Sequence, residues 1–166
     1  MPLVLNGTTG VQDNSGAFVQ GTAVASTSGT SIDFTSIPSW VKRVTVMLNG
    51  VSTNGSSAVQ IQIGSGSVTT SGYSSLFFIN TNVSTVTSGF SIAGYGGAGD
   101  ARIGAITISL LTGNTYVCNG QVSQTTALVG HLCGSVVLSG ILDRVRITTV
   151  NGTDTFDAGT INILYE

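Results

Sequence analysis

The chain has 166 residues, the size of one domain. Only 7% of the residues are charged, 23 are Gly, and the net charge is −2. Five basic residues cannot build the dense positive field that nucleic acid or an anionic membrane surface requires, and one His, two Cys and a lone Glu leave little material for catalysis. No apolar run approaches the roughly 18 residues of a membrane span. The opening, Met1 to Gly7, lacks a basic region and a long apolar stretch, so the expectation is synthesis in a cytoplasm without export by a signal peptide. A hydrophobic share of 41% argues against disorder.

In chain order, residues 1–20 stand apart from the rest. Leu3, Val4 and Leu5 precede a polar run that reaches Ser15-Gly16. This segment reads either as an edge strand of the domain or as an extended anchor that adds to another protein's sheet. Residues 21–166 read as one domain.

From there the pattern has period two. Val44, Val46 and Leu48 alternate with Arg43, Thr45 and Met47; Val59, Ile61 and Ile63 alternate with Gln60 and Gln62. The same holds for Ile106, Ile108 and Leu110, for Val145 and Ile147, and for Ile161, Ile163 and Tyr165. Each run predicts a half-buried strand with one wet face. The Asn-Gly pairs at 49–50, 54–55, 119–120 and 151–152 read as turns. No segment carries a helical period. Between about eight and eleven strands are expected, in an all-β, antiparallel, jelly-roll-like β-sandwich with an extended N-terminal segment.

Candidate site residues are few. Cys118 and Cys133 have no metal-ligand neighbours at the right spacing, and a reducing compartment favours two free thiols. His131 and Cys133 share one strand face without an orienting group, so no catalytic residue is assigned. Arg144 and Arg146 also share a face and could hold carboxylates of a neighbouring strand, another subunit or an acidic sugar. Asp154 and Asp157 fit turn capping better than a calcium loop. Gly94 to Gly99 lacks the Lys-Ser/Thr of a phosphate cradle. The Phe residues and Trp40 suit core filling, whereas Tyr73 and Tyr95, beside Gly in expected loops, are the contact candidates. No metal and no cofactor is expected.

Two stretches resemble a known family. One is Thr27 to Val46, with Ser31-Ile32-Asp33-Phe34 and Ile37-Pro38-Ser39-Trp40-Val41-Lys42-Arg43-Val44; the other is Leu142 to Glu166, with Asp143-Arg144-Val145-Arg146-Ile147 and Asn151-Gly152-Thr153-Asp154. Both resemble the C-terminal β-sandwich module of fibre-type virion proteins of tailed bacteriophages. Pro2 to Val11 is similar to the start of phage tail- and head-fibre proteins, where such a segment attaches the fibre to the particle.

The resemblance implies a non-enzymatic virion surface protein, made in the bacterial host cytoplasm, that forms a homotrimer and binds capsid, collar or tail proteins. Leu3, Val4, Leu5 and Asn6 would anchor it to the particle. Lys42, Arg144 and Arg146 would lie between subunits, and Tyr73 and Tyr95 would touch a host surface glycan. The family often has a long shaft between anchor and module, and almost nothing lies between them here. The alternatives are a capsid decoration (cement) protein and a free carbohydrate-binding module. A glycan depolymerase would need a carboxylate pair, and only Asp residues and Glu166 are available.

Overall fold

The structure is a computed structural model; it describes residues 18–92, 97–124 and 128–166, and the backbone of residues 5–6 and 10–11. Among the described residues there is no helix. The strands are β1 (Leu5–Asn6), β2 (Gly10–Val11), β3 (Val19–Gln20), β4 (Val24–Ala25), β5 (Ser31–Thr35), β6 (Arg43–Thr53), β7 (Val59–Ser65) and β8 (Ser67–Val68). They continue with β9 (Ser74–Ile79), β10 (Asn82–Val86), β11 (Phe90–Ser91), β12 (Arg102–Thr112), β13 (Thr115–Gln124), β14 (Leu128–Val137), β15 (Arg144–Thr149) and β16 (Phe156–Tyr165). Ten of them have five residues or more, in line with the sequence count; the other six are two-residue pairings.

Every strand pair is antiparallel. A nine-stranded sheet runs β10-β9-β14-β13-β12-β6-β16-β3, with β4 also on β16. A five-stranded sheet runs β11-β7-β15-β5, with β8 on β7. One continuous core joins them. Val44, Val46, Ile106, Ile108, Ile161 and Ile163 of the larger sheet and Ile61, Ile63, Val145 and Ile147 of the smaller are all buried in it. Each fully buried side chain of this kind is worth roughly 1.5–3 kcal/mol, which makes the facing alternations the main stabilising term. The chain is thus an all-β sandwich.

The N-terminal residues divide. β1 and β2 form a two-stranded sheet of their own, with Leu5 opposite Val11 and Asn6 opposite Gly10. β3 belongs to the larger sheet, paired with β16, so the sandwich begins before residue 21.

Two of the four Asn-Gly pairs lie inside strands. Asn119-Gly120 is in mid-β13, and Asn49-Gly50 is in β6. Gly50 (φ 69°) faces Gly159 (φ 97°) on β16, and the β6–β16 register slips there. A paired bulge bends two long central strands, β6 and β16, at a point where a turn was expected. The tight hairpins are instead built on Asn80-Thr81, with Asn80 at φ 55°, and on Gly113-Asn114, with Gly113 at φ 54°. β7 departs from the expected wet face: Gln60 and Gln62 are buried along with Val59, Ile61 and Ile63. Ser88 covers them, its carbonyl accepting from Gln62 Nε2 at 2.9 Å and its hydroxyl donating to Gln60 Oε1 at 2.7 Å.

Candidate functional site: two contrasting outer faces

The two stretches that carry the family resemblance are about a hundred positions apart in sequence and fold onto each other. β5 pairs with β15 in the smaller sheet, and β6 pairs with β16 in the larger. Two ion pairs join the stretches. Arg146 donates through Nε and Nη2 to Asp33 at 2.7 and 2.9 Å, a bidentate fork across a directly opposed cross-strand pair. Arg43 pairs with Glu166. The backbone adds Lys42 N to Glu166 O at 2.7 Å and Ile37 N to Asp143 O at 3.0 Å.

These contacts account for two of the residues expected between subunits. Arg146 is engaged by Asp33, and Arg144 by the adjacent Asp143, at 2.7 Å from Nε and 3.1 Å from Nη2. The hydrogen bond from Arg144 holds the Asp143 carboxyl below the ordinary carboxylate range. Both guanidinium groups therefore serve carboxylates of their own chain. Lys42 is exposed.

Tyr73 is not a surface contact. It lies in a loop, as its Gly neighbour suggested, but it is 3% exposed. Its hydroxyl accepts from Ile63 N at 2.8 Å and donates towards the carbonyls of Thr69 and Ile63 at 3.1 and 3.2 Å, and its ring stands edge-on to Phe90. A buried phenol with three backbone partners has no face left for a sugar. Burial pushes its pKa up from 10.0 to about 12. Tyr95, Leu3 and Val4 lie outside the described residues, and Leu5 and Asn6 are described only as the backbone of β1. Phe77 and Phe90 fill the core as expected, whereas Phe78 alternates outward and is 47% exposed.

Cys118 is buried and Cys133 exposed, and both thiols are free. Burial drives the Cys118 thiol well above its usual range. Asp154 caps a turn, accepting from Ser57 N at 2.9 Å and from Asn151 Nδ2 at 2.6 Å. Asp157 accepts from Ser52 Oγ. Sequence reasoning passed over Arg102, which is only 1% exposed at the start of β12. It donates from Nη1 to the Asp100 carbonyl at 2.9 Å, and desolvation lowers its pKa against the pull of Asp100 and Asp157. Its hydrogen-bond partner Asp100 is two positions away in sequence, whereas its register neighbours Val51 and Gln124 and the charge of Asp157 come from distant strands.

The outer surfaces of the two sheets differ in kind. The smaller sheet is polar. A depression of about 330 Å³ on it is lined by Gln60, Gln62, Ser88, Arg146, Thr148 and Asn151, all donors or acceptors held by their own neighbours. The larger sheet is nearly without charge on the side formed by β10, β9, β14, β13 and β12. No Asp, Glu, Lys or Arg occurs in residues 44–99 or 103–142. Its outer face exposes Leu76, Phe78, Val83, Ile103, Val117 and Val129. His131 and Cys133 lie among them on one face of β14, both exposed, as their spacing predicts.

Among the described residues no three His, Cys, Asp or Glu side chains are grouped to hold a metal. No family model matches the chain, and no curated protein matches it.

Proposed function

We propose that this protein is a non-enzymatic surface component of a tailed-bacteriophage particle: a β-sandwich held to the virion by its N-terminal segment, multimeric as a homotrimer, and exposed for adhesion to a host surface glycan. The observation that carries the reading is the pairing of the two family-like stretches. Residues distant in sequence resemble one module, and they make adjacent strands in both sheets, tied by Asp33–Arg146 and Arg43–Glu166. Likeness confined to short local patterns would have no reason to converge in space.

The polar depression on the smaller sheet supports the adhesion part of the reading. Its polar side chains bond within the chain, and hydroxyl oxygens such as those of Ser88 and Thr148 keep lone pairs that can accept from sugar hydroxyls. In this role it replaces Tyr73. The anchor part rests on residues 1–15, within which β1 and β2 pair with each other. An apolar tripeptide such as Leu3-Val4-Leu5 on a partner's sheet edge combines main-chain pairing with side-chain burial, and three copies acting together multiply the effect.

The test is attachment to particles produced without this protein. Full-length chain should co-sediment with them. Chain lacking residues 1–15 should fold with an unchanged circular dichroism spectrum and stay in the supernatant. A truncated chain that still binds particles, or a full-length chain that never does, refutes the reading. A rise in the melting temperature of emptied heads on binding would move it from adhesion to capsid cementing.

A further inference from the structure

The outer face of the larger sheet is unusual for a surface that meets only water. The solvated side of an antiparallel sheet ordinarily carries polar and charged side chains. Here one register row runs Val83, Phe78, His131, Gln121, Ala105, and the next runs Thr85, Leu76, Cys133, Asn119, Thr107. No charged residue occurs in either row. Phe78, Leu76 and Val83 are 47%, 45% and 56% exposed and adjacent, so they form one apolar rise on β9 and β10. Beside it lies a shallow recess of about 630 Å³, lined by Ile103, Gly104, Ala105, Gly120, Gln121 and Val129.

The edge of this sheet is also unguarded. β10 reads Asn82-Val83-Ser84-Thr85-Val86. It has no Lys, Pro or charge of the kind that blunts edge strands against pairing. Exposed apolar patches of this sort mark interaction sites.

We infer that this face docks against a second copy of the same chain. Charge selects the occupant. The face offers no fixed charge of either sign to steer or pair with a charged partner, so what covers it must be neutral as well. This chain supplies such a surface in equal number. Its net charge of −2 arises from residues outside the face, so two copies meet there without like-charge contact. The extent also fits. Five strands at about 4.8 Å spacing and strand lengths of roughly 25 Å give on the order of 600 Å² in projection. That is comparable to the ~800 Å² of accessible surface each partner commits in a standard interface. A face that meets its own copy closes a twofold pair, so this contact joins two copies and is separate from the threefold assembly of the proposed function.

The experiment is the solution mass by light scattering after size exclusion, over a dilution series, for the full chain and for Phe78→Lys, Val83→Lys and Ile141→Lys. Ile141 is 54% exposed in the loop after β14 and lies off the face. The wild type and Ile141→Lys should run as the same multimer, and the two face variants should run at half that mass. As a check that needs no folded variant, maleimide should modify Cys133 at least tenfold more slowly in the concentrated wild type than in the diluted, dissociated chain. A wild type that runs as one chain or as three chains throughout overturns the inference. Face variants that keep the full wild-type mass, with Cys133 equally reactive at all concentrations, overturn the face while leaving the multimer. Particle attachment through residues 1–15 is read separately, so failure here and failure of the virion reading are distinguishable.

Discussion

The phenol of Tyr73 holds both the amide and the carbonyl of Ile63, ten residues before it in the chain, and so pins the loop ahead of β9 to the middle of β7. Removing that oxygen in Tyr73→Phe leaves the ring on Phe90 but strands a buried N–H. The expected loss of stability is about 1–3 kcal/mol in urea denaturation, the cost of an unsatisfied buried donor.

The same residue gives the protein an alkaline limit. Burial raises its pKa from 10.0 to about 12. A phenol with a raised folded-state pKa contributes stability in full below the unfolded value and loses it as pH rises through the folded one. Stability should therefore fall by about 2–3 kcal/mol between pH 10 and 12, at 1.36 kcal/mol per unit. Tyr73→Phe should remove that slope. A tyrosinate absorbance titration of the folded wild type should show a group ionising about two units later than in denaturant.

Gly159 faces Gly50 across the β16–β6 bulge, at φ 97°, and a Cβ placed on it would come within 2.5 Å of the Gly50 carbonyl carbon. Gly159→Ala combines left-handed strain with a backbone clash. It should lower stability by about 1–3 kcal/mol, read as a reduced denaturation midpoint with an unchanged slope.

Cys118 and Cys133 lie on adjacent strands one register step apart, since Cys118 opposes Gly134 and Asn119 opposes Cys133. One step turns a side chain to the other face of a sheet. Cys118 thus points into the core and Cys133 out of it. A thiol reagent should label one cysteine in the dissociated native chain and two in denaturant. A disulfide between them in the native protein would contradict this geometry.

Asp33 and Arg146 are both only partly buried, 37% exposed each, so their bidentate pair is screened by solvent. A double-mutant cycle with Asp33→Asn and Arg146→Gln should return a coupling of about 1 kcal/mol or less, shrinking with added salt.

The sequence by itself determined the layer architecture. Strict alternation at Val44-Val46-Leu48, Ile61-Ile63, Ile106-Ile108 and Ile161-Ile163 fixes which side of each strand is apolar, and apolar faces of strands have no stable disposition except against each other. It also determined that His131 and Cys133 share a face, because period two is a local property of the backbone. Tertiary structure decided everything that depends on what lies across from a residue. Tyr73 sits in a loop as read, yet is buried because Ile63 and Phe90 happen to oppose it. Gln60 and Gln62 follow the polar period, yet are covered by Ser88. Asn49-Gly50 has the local chemistry of a turn and became a bulge because β16 continues alongside β6. The uncharged outer face is assembled from strands that are partly non-consecutive, with β9 beside β14, so no short window of sequence contains it. Burial and charge pattern on a face are sums over neighbours in space, and register between distant strands sets those neighbours.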